Sequence, residues 1–293
     1  MTQHHLFVTL GETRYRIERP WGDLPGTGWV TDVTCDDRGH VFVLLRSDPY
    51  IESGVPAIIE LDPSGRRIAA WGEDIVADGH MLAFGPNRRL FVVDRDAHEV
   101  VLFDLSGRRV GGLGRRDRPG EPFCHPTDVA CAPSGDIYVA DGYGASQVHR
   151  FSANGTLLSS WGTPGSQEGQ FTTPHAVWVL ADGRVAVADR ENNRVQLFAA
   201  DGTFLSCWYD LFKPMDIFGD AAGRIFVTDQ IPRLSMYSPD GTLLGRCRPV
   251  LNGAHGMWGD TSGHLFLAEI SPGRVTRLVP EPGEYSSDAV LVA

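Results

Sequence analysis

Six stretches of this chain repeat one phrase, and that repetition restricts its fold more than any other feature. The units open as WVTDVTCDDRGHVFVLLR at 29, ADGHMLAFGPNRRLFVVDR at 77, CHPTDVACAPSGDIYVADG at 124, TPHAVWVLADGRVAVADR at 173, KPMDIFGDAAGRIFVTDQ at 213 and GAHGMWGDTSGHLFLAEI at 253. Self-similarity at a period of roughly 40–50 residues means a solenoid, a propeller or an array. Within each unit an apolar strand, a turn rich in Asp, Ser and Gly, and a second apolar strand ending near an acid follow one another. A third and a fourth strand come next, as in IIELDPSGRRIAAWG, VHRFSANGTLLSSWG and VQLFAADGTFLSCW. β-branched residues fill the strands, and Gly, Asp and Asn punctuate them. No stretch sustains a 3.6-residue period, so helices should be scarce.

Four antiparallel strands in each of six units describe an all-β chain, a six-bladed β-propeller. The sixth unit stops after VTRLVP, one strand short. Near the N-terminus YRIERPWG ends in the same Trp-Gly as AAWG and SSWG, so it is expected to supply that strand and close the ring. The 293 residues then form one domain, with 281–293 as a loosely ordered acidic tail.

Charge narrows the partners. Against 37 Asp and Glu stand 26 Lys and Arg, a net charge of −11. Nucleic acid and anionic membranes would repel such a chain. No apolar run approaches the ~20 residues that cross a bilayer. The first residues do not read as a secretory leader. Five cysteines, an odd number without a CxxC pair, argue against a disulfide framework and for a cytoplasmic protein.

One position at the start of each unit reads Thr31, His80, Thr127, His175, Met215 and His255. Histidine thus occupies the second, fourth and sixth units. Alternate blades of a six-fold ring lie about 120° apart, and inner-strand residues at one height converge on the axis. Three imidazoles so placed form a zinc site with a coordination position left open. Taken singly, each is as readily an ordinary polar residue at a blade edge. Fifteen residues on, after the second strand, stand Arg46, Arg95, Gly142, Arg190, Gln230 and Ile270. First and second strands are antiparallel, so both rings belong to one face, and Arg46, Arg95 and Arg190 point toward the histidines. Guanidinium groups there suit a carboxylate. A solvated rim charge, such as Arg190 against Glu191, remains the plainer alternative, most of all for Arg95. Asp32, Asp128 and Asp216 form a further alternating ring, read as blade-to-blade structural links rather than metal ligands.

The repeats resemble NHL repeats over nearly the whole chain. The stretch FCHPTDVACAPSGDIYVADGY, followed by GQFTTPHAVWVLADGRVAVADRENNRVQLF, resembles more specifically the central blades of peptidyl-α-hydroxyglycine α-amidating lyase, or peptidylamidoglycolate lyase. The resemblance implies zinc on His80, His175 and His255, a catalytic tyrosine at Tyr143 of the DGY motif, and functional arginines at Arg190 of DREN and at Arg46. It implies a structural calcium on the backbone carbonyls of Val33 and Leu82, but the aspartate that would complete that site is Gly256. Two disulfides of the secreted relatives are missing: Cys124 faces Gly144, and Ala186 and Leu197 replace the second pair.

The implied reaction splits an α-hydroxyglycine, a small-molecule carboxylate of the form R–CO–NH–CH(OH)–COOH, into an amide and glyoxylate. Zinc would act as Lewis acid, Tyr143 as base, and Arg46 and Arg190 as carboxylate and charge anchors. A hydrolase or hydratase on the same centre, a calcium-dependent lactonase type of propeller using the aspartates, and a non-catalytic binding scaffold stay open at this point.

Overall fold

In the computed structural model, which describes residues 5–26, 28–47 and 54–282, six antiparallel sheets surround one axis. The inner strands are Trp29–Cys35, Gly79–Gly85, Asp128–Cys131, Pro174–Val179, Pro214–Gly219 and Gly256–Gly259. They begin the first to sixth blades where the repeats place them. Among the described residues, helix is limited to two three-residue 3₁₀ turns, Pro86–Arg88 and Arg190–Asn192, so no helix is long and apolar enough to cross a membrane.

Thr13–Trp21 pairs antiparallel with Arg274–Pro280, with Ile17 opposite Leu278, and so closes the sixth blade as expected. An unexpected fifth strand, Leu6–Leu10, extends this blade by pairing with Thr13–Trp21. Its end runs against the outer strand of the fifth blade. There a Cβ at Gly245 would lie 2.2 Å from the Gly11 nitrogen, so only glycine permits the approach. Of the expected tail, 283–293 lie outside the described residues. Glu281 is not loose: its N–H donates to Arg14 O at 2.9 Å, and its carboxylate lies 3.3 Å from Arg16 Nε.

The core is divided among the blade junctions. Each of six apolar clusters joins two neighbouring blades, as Trp21 and Phe266 of the sixth do with Val33, Val43 and Ile59 of the first. Burial of apolar surface between blades therefore sets their spacing. Toward the far end of the channel, Trp178, Phe218 and Trp258 pack with ring centroids 5.3–5.5 Å apart. All five cysteines are free.

Candidate metal centre

The backbone turns the ring position toward the axis with a bulge. In the fourth blade Pro174 pairs with Asp189 and Ala176 with Ala188, which leaves His175 out of the ladder. The same shift falls between Gly79 and Leu82 in the second blade, between Val30 and Asp32 in the first and between Pro214 and Asp216 in the fifth. A bulge re-aims the side chain of the extra residue.

His80, His175 and His255 meet on the axis. Their centroids lie 5.0, 4.8 and 5.1 Å apart, and one ring nitrogen of each lies within 4.8 Å of the other two. Each Nδ1–H donates to a carbonyl of the next blade: His80 to Thr127 at 2.6 Å, His175 to Met215 at 2.7 Å and His255 to Thr31 at 2.8 Å. A carbonyl only accepts, so the proton sits on Nδ1 and the lone pair on Nε2. Burial holds all three imidazoles below their ordinary range, His255 at about 4, so they are neutral at pH 7. His175 Nε2 is buried without a hydrogen-bond partner. Neutral histidines with the tautomer set by a carbonyl, and an orphaned nitrogen aimed at the axis, fit zinc.

The three aspartates close the alternate junctions. Asp32 accepts from the N–H groups of Val33 and Leu82 at 2.8 Å each. Asp128 accepts from Val129 and Val177, both at 2.7 Å, and Asp216 from Ile217 at 2.7 Å and Met257 at 2.6 Å. Carboxylates therefore link blades one to two, three to four and five to six, while histidines link the other three pairs. Their structural role follows from these contacts.

The position where the resemblance implies the aspartate of a calcium site is Gly256. A Cβ at Gly256 would stand 1.9 Å from Asp32 Oδ1, so the Asp32 carboxylate fills the place an aspartate at 256 would need. Asp32 accepts from the N–H groups of Val33 and Leu82, whose carbonyls are the ligands the resemblance implies.

Burial pushes the three carboxyls up, Asp128 to about 7, and mutual repulsion adds to this for Asp32 and Asp216. A carboxyl that binds its proton more tightly when folded contributes stability that is full below the unfolded value, near 4, and lost as pH rises toward 7. The depressed histidines act the other way, losing stability as pH falls below about 6.5. In Asp128→Asn the Asp128 share of the first effect disappears, while the histidine effect stays. Urea unfolding of the metal-free protein should show the parent's advantage over this variant shrinking from pH 5 to pH 7, by up to about 1.4 kcal/mol per unit. A constant difference would contradict the assignment.

Above the histidines, the second ring forms the mouth. Tyr143 Oη lies 3.1 Å from His80 Nε2 and accepts from Arg190 Nη1 at 3.1 Å. The Arg190 and Arg95 guanidiniums stand 5.3 and 5.4 Å from the centroid of its ring. Arg190 Nε also donates to Glu191 at 3.0 Å, so the rim pairing and the approach to Tyr143 coexist. Arg46 pairs with Asp78, which pairs in turn with Arg95. The six residues singled out for the site are thus brought to one face. Asp78 escaped sequence reasoning because its position carries no pattern from unit to unit. Beside His255 a cavity of about 270 Å³ is lined by Met215, Gln230, Asn252, Ala254 and Ile270.

These features define a six-bladed propeller with a histidine centre on its axis. The NHL repeat family matches residues 123–151 and 171–198. Over 198 residues the chain is 41% identical to a Caenorhabditis elegans protein named as a probable peptidyl-alpha-hydroxyglycine alpha-amidating lyase, covering 59% of this chain and 56% of that one. It is 30% identical to the Drosophila melanogaster peptidyl-alpha-hydroxyglycine alpha-amidating lyase 1, covering 67% and 37%. With the Xenopus laevis peptidyl-glycine alpha-amidating monooxygenase A the identity is 35%, over 60% of this chain and 20% of that protein. The chain thus spans between a fifth and just over half of these three relatives. Among solved structures, a streptogramin B lyase superimposes with a TM-score of 0.68 at 13% identity, covering 94% of this chain and 100% of that one. A putative gluconolactonase gives 0.70 at 16% identity, covering 91% and 92%. Both likenesses are of fold.

Proposed function

We propose that this protein is a zinc-dependent lyase that cleaves the C–N bond of an α-hydroxyglycine, R–CO–NH–CH(OH)–COO⁻, to R–CO–NH₂ and glyoxylate. The observation that carries the reading is the axial centre itself: three buried neutral imidazoles with Tyr143 Oη 3.1 Å from one of them. The relatives named as lyases of this substrate class support it. Zinc held by His80, His175 and His255 would supply a Lewis acid that lowers the pKa of the substrate hydroxyl.

The rest falls to the chain. Tyr143, as phenolate, takes the hydroxyl proton. The C–O bond becomes the aldehyde of glyoxylate as the C–N bond breaks. The nitrogen keeps the electron pair and receives the proton from the Tyr143 phenol. Atoms and charge balance without a co-reactant. Arg190, bonded to the phenol oxygen, stabilises negative charge there, and Arg46 anchors the carboxylate. The cavity beside His255 gives room for the acyl group. The aromatic residues at the far end of the channel leave the mouth as the way in.

Zinc-loaded protein incubated with α-hydroxyhippurate should release benzamide and glyoxylate in equal amounts, above the rate without protein. Benzoate in place of benzamide would mean amide hydrolysis and would overturn the lyase reading.

A further inference from the structure

We propose that the carboxylate of the substrate is held by a yoked pair of arginines, Arg46 and Arg95, with Asp78 as the yoke, and that Arg190 serves Tyr143 instead. The proposal rests on the reading of this mouth as a site for an N-acyl-hydroxyglycine, and adds Arg95 as a binding residue and Asp78 as a positioning residue.

Asp78 is 8% exposed and sits between the two guanidiniums. Its Oδ1 holds Arg46 Nε, and its Oδ2 lies 2.7 Å from Arg95 Nε. That second contact is an ion pair without an aligned hydrogen bond, because Oδ2 has no hydrogen-bond partner. Arg95 Nε donates instead to Asp96 at 3.0 Å. Both guanidiniums are therefore gripped at Nε. Among the described residues, no acceptor meets the Nη groups of either, although the side chains are only 22% and 20% exposed. Arginine donors left free at a mostly buried site suit a planar anion, which accepts from two forks at once.

Arg190 differs. Its Nε is taken by Glu191 and its Nη1 by the Tyr143 hydroxyl. The mouth thus falls into three sectors about 120° apart, as a six-bladed ring requires. Blades one and two carry the paired arginines, blades three and four the tyrosine with its own arginine, and blades five and six the cavity. A tetrahedral carbon bearing a carboxylate, a hydroxyl and an acylamino group has one substituent for each.

The test is binding, so it stands apart from turnover. Zinc-loaded protein is titrated with hippurate and with its neutral amide, hippuramide. In Arg95→Gln, hippurate should bind about 10- to 100-fold more weakly, the range of a lost charge-assisted hydrogen bond, while hippuramide is unchanged. Arg95→Lys keeps the charge, guards against a folding defect and should recover part of the loss. Hippurate affinity within about twofold of the parent in Arg95→Gln, an equal loss for both ligands, or no hippurate binding to the parent at millimolar concentration would each overturn the proposal. Should hippurate respond as expected while no benzamide forms, the anion pair stands and the lyase chemistry fails.

Discussion

Tyr143→Phe should leave the zinc content of the protein unchanged and lower kcat by about 100-fold or more, the range of a lost general base. The phenyl ring keeps the packing against the Arg95 and Arg190 guanidiniums at 5.4 and 5.3 Å. What disappears is one oxygen, 3.1 Å from His80 Nε2 and 3.1 Å from Arg190 Nη1. Arg46 and Arg95 are untouched, so KM should move little, which separates a lost proton acceptor from a damaged binding site. Tyr143 is 38% exposed, so the substitution has little leverage on the fold. A kcat within about threefold of the parent would remove Tyr143 from the chemistry.

The larger loss is expected for His175→Ala. Two imidazoles would remain, and zinc affinity should fall by well over 100-fold, because even changes to groups that only orient a ligand cost 10- to 100-fold. Activity should fall to background with the metal. The variant also deletes the bond from Nδ1–H to Met215 O, which joins the fourth blade to the fifth. Its cost in stability should be about 1–3 kcal/mol, that of a buried carbonyl left without a donor. Circular dichroism and zinc content measured on one preparation separate the two effects. A variant that unfolds outright would show the histidines to be mainly structural. A folded variant that keeps zinc would show that His175 is not a ligand.

The histidine centre was legible in the sequence because a repeat provides a register. Once six units are superposed, His80, His175 and His255 share one position, and a ring of equivalent positions on inner strands has only the axis to point at. Arg46 and Arg190 were legible for the same reason. What lay outside the register was not. Asp78 corresponds to no acid in the other units, so nothing marked it as the partner of two arginines. Arg95 shared the arginine register but looked like an ordinary rim charge until Asp78 stood beside it. The strand Leu6–Leu10 precedes the first repeat and has no counterpart in it. The aspartate that the calcium expectation required is a glycine, Gly256, and the physical cause of that glycine sits 224 residues away in sequence, at Asp32. Two strands that meet only when the ring closes decide which of them carries the carboxylate, and the Cβ that Gly256 lacks would collide with it.

The bulges are a further case. They turn the ring position of the strands beginning at Trp29, Gly79, Pro174 and Pro214 inward. Alternation of apolar residues would have placed these side chains on a sheet face. An extra residue in a ladder leaves no compositional trace, because Thr31, His80, His175 and Met215 share neither size nor polarity.

The central claim is that three histidines on alternate blades make a metal centre, and the most direct measurement is the metal itself. Protein purified without chelator should carry about one zinc per chain, and its X-ray absorption spectrum should show nitrogen scatterers at about 2.0–2.1 Å with the multiple-scattering pattern of imidazole. Protein that stays free of zinc after loading, or zinc bound without imidazole scattering, would contradict it.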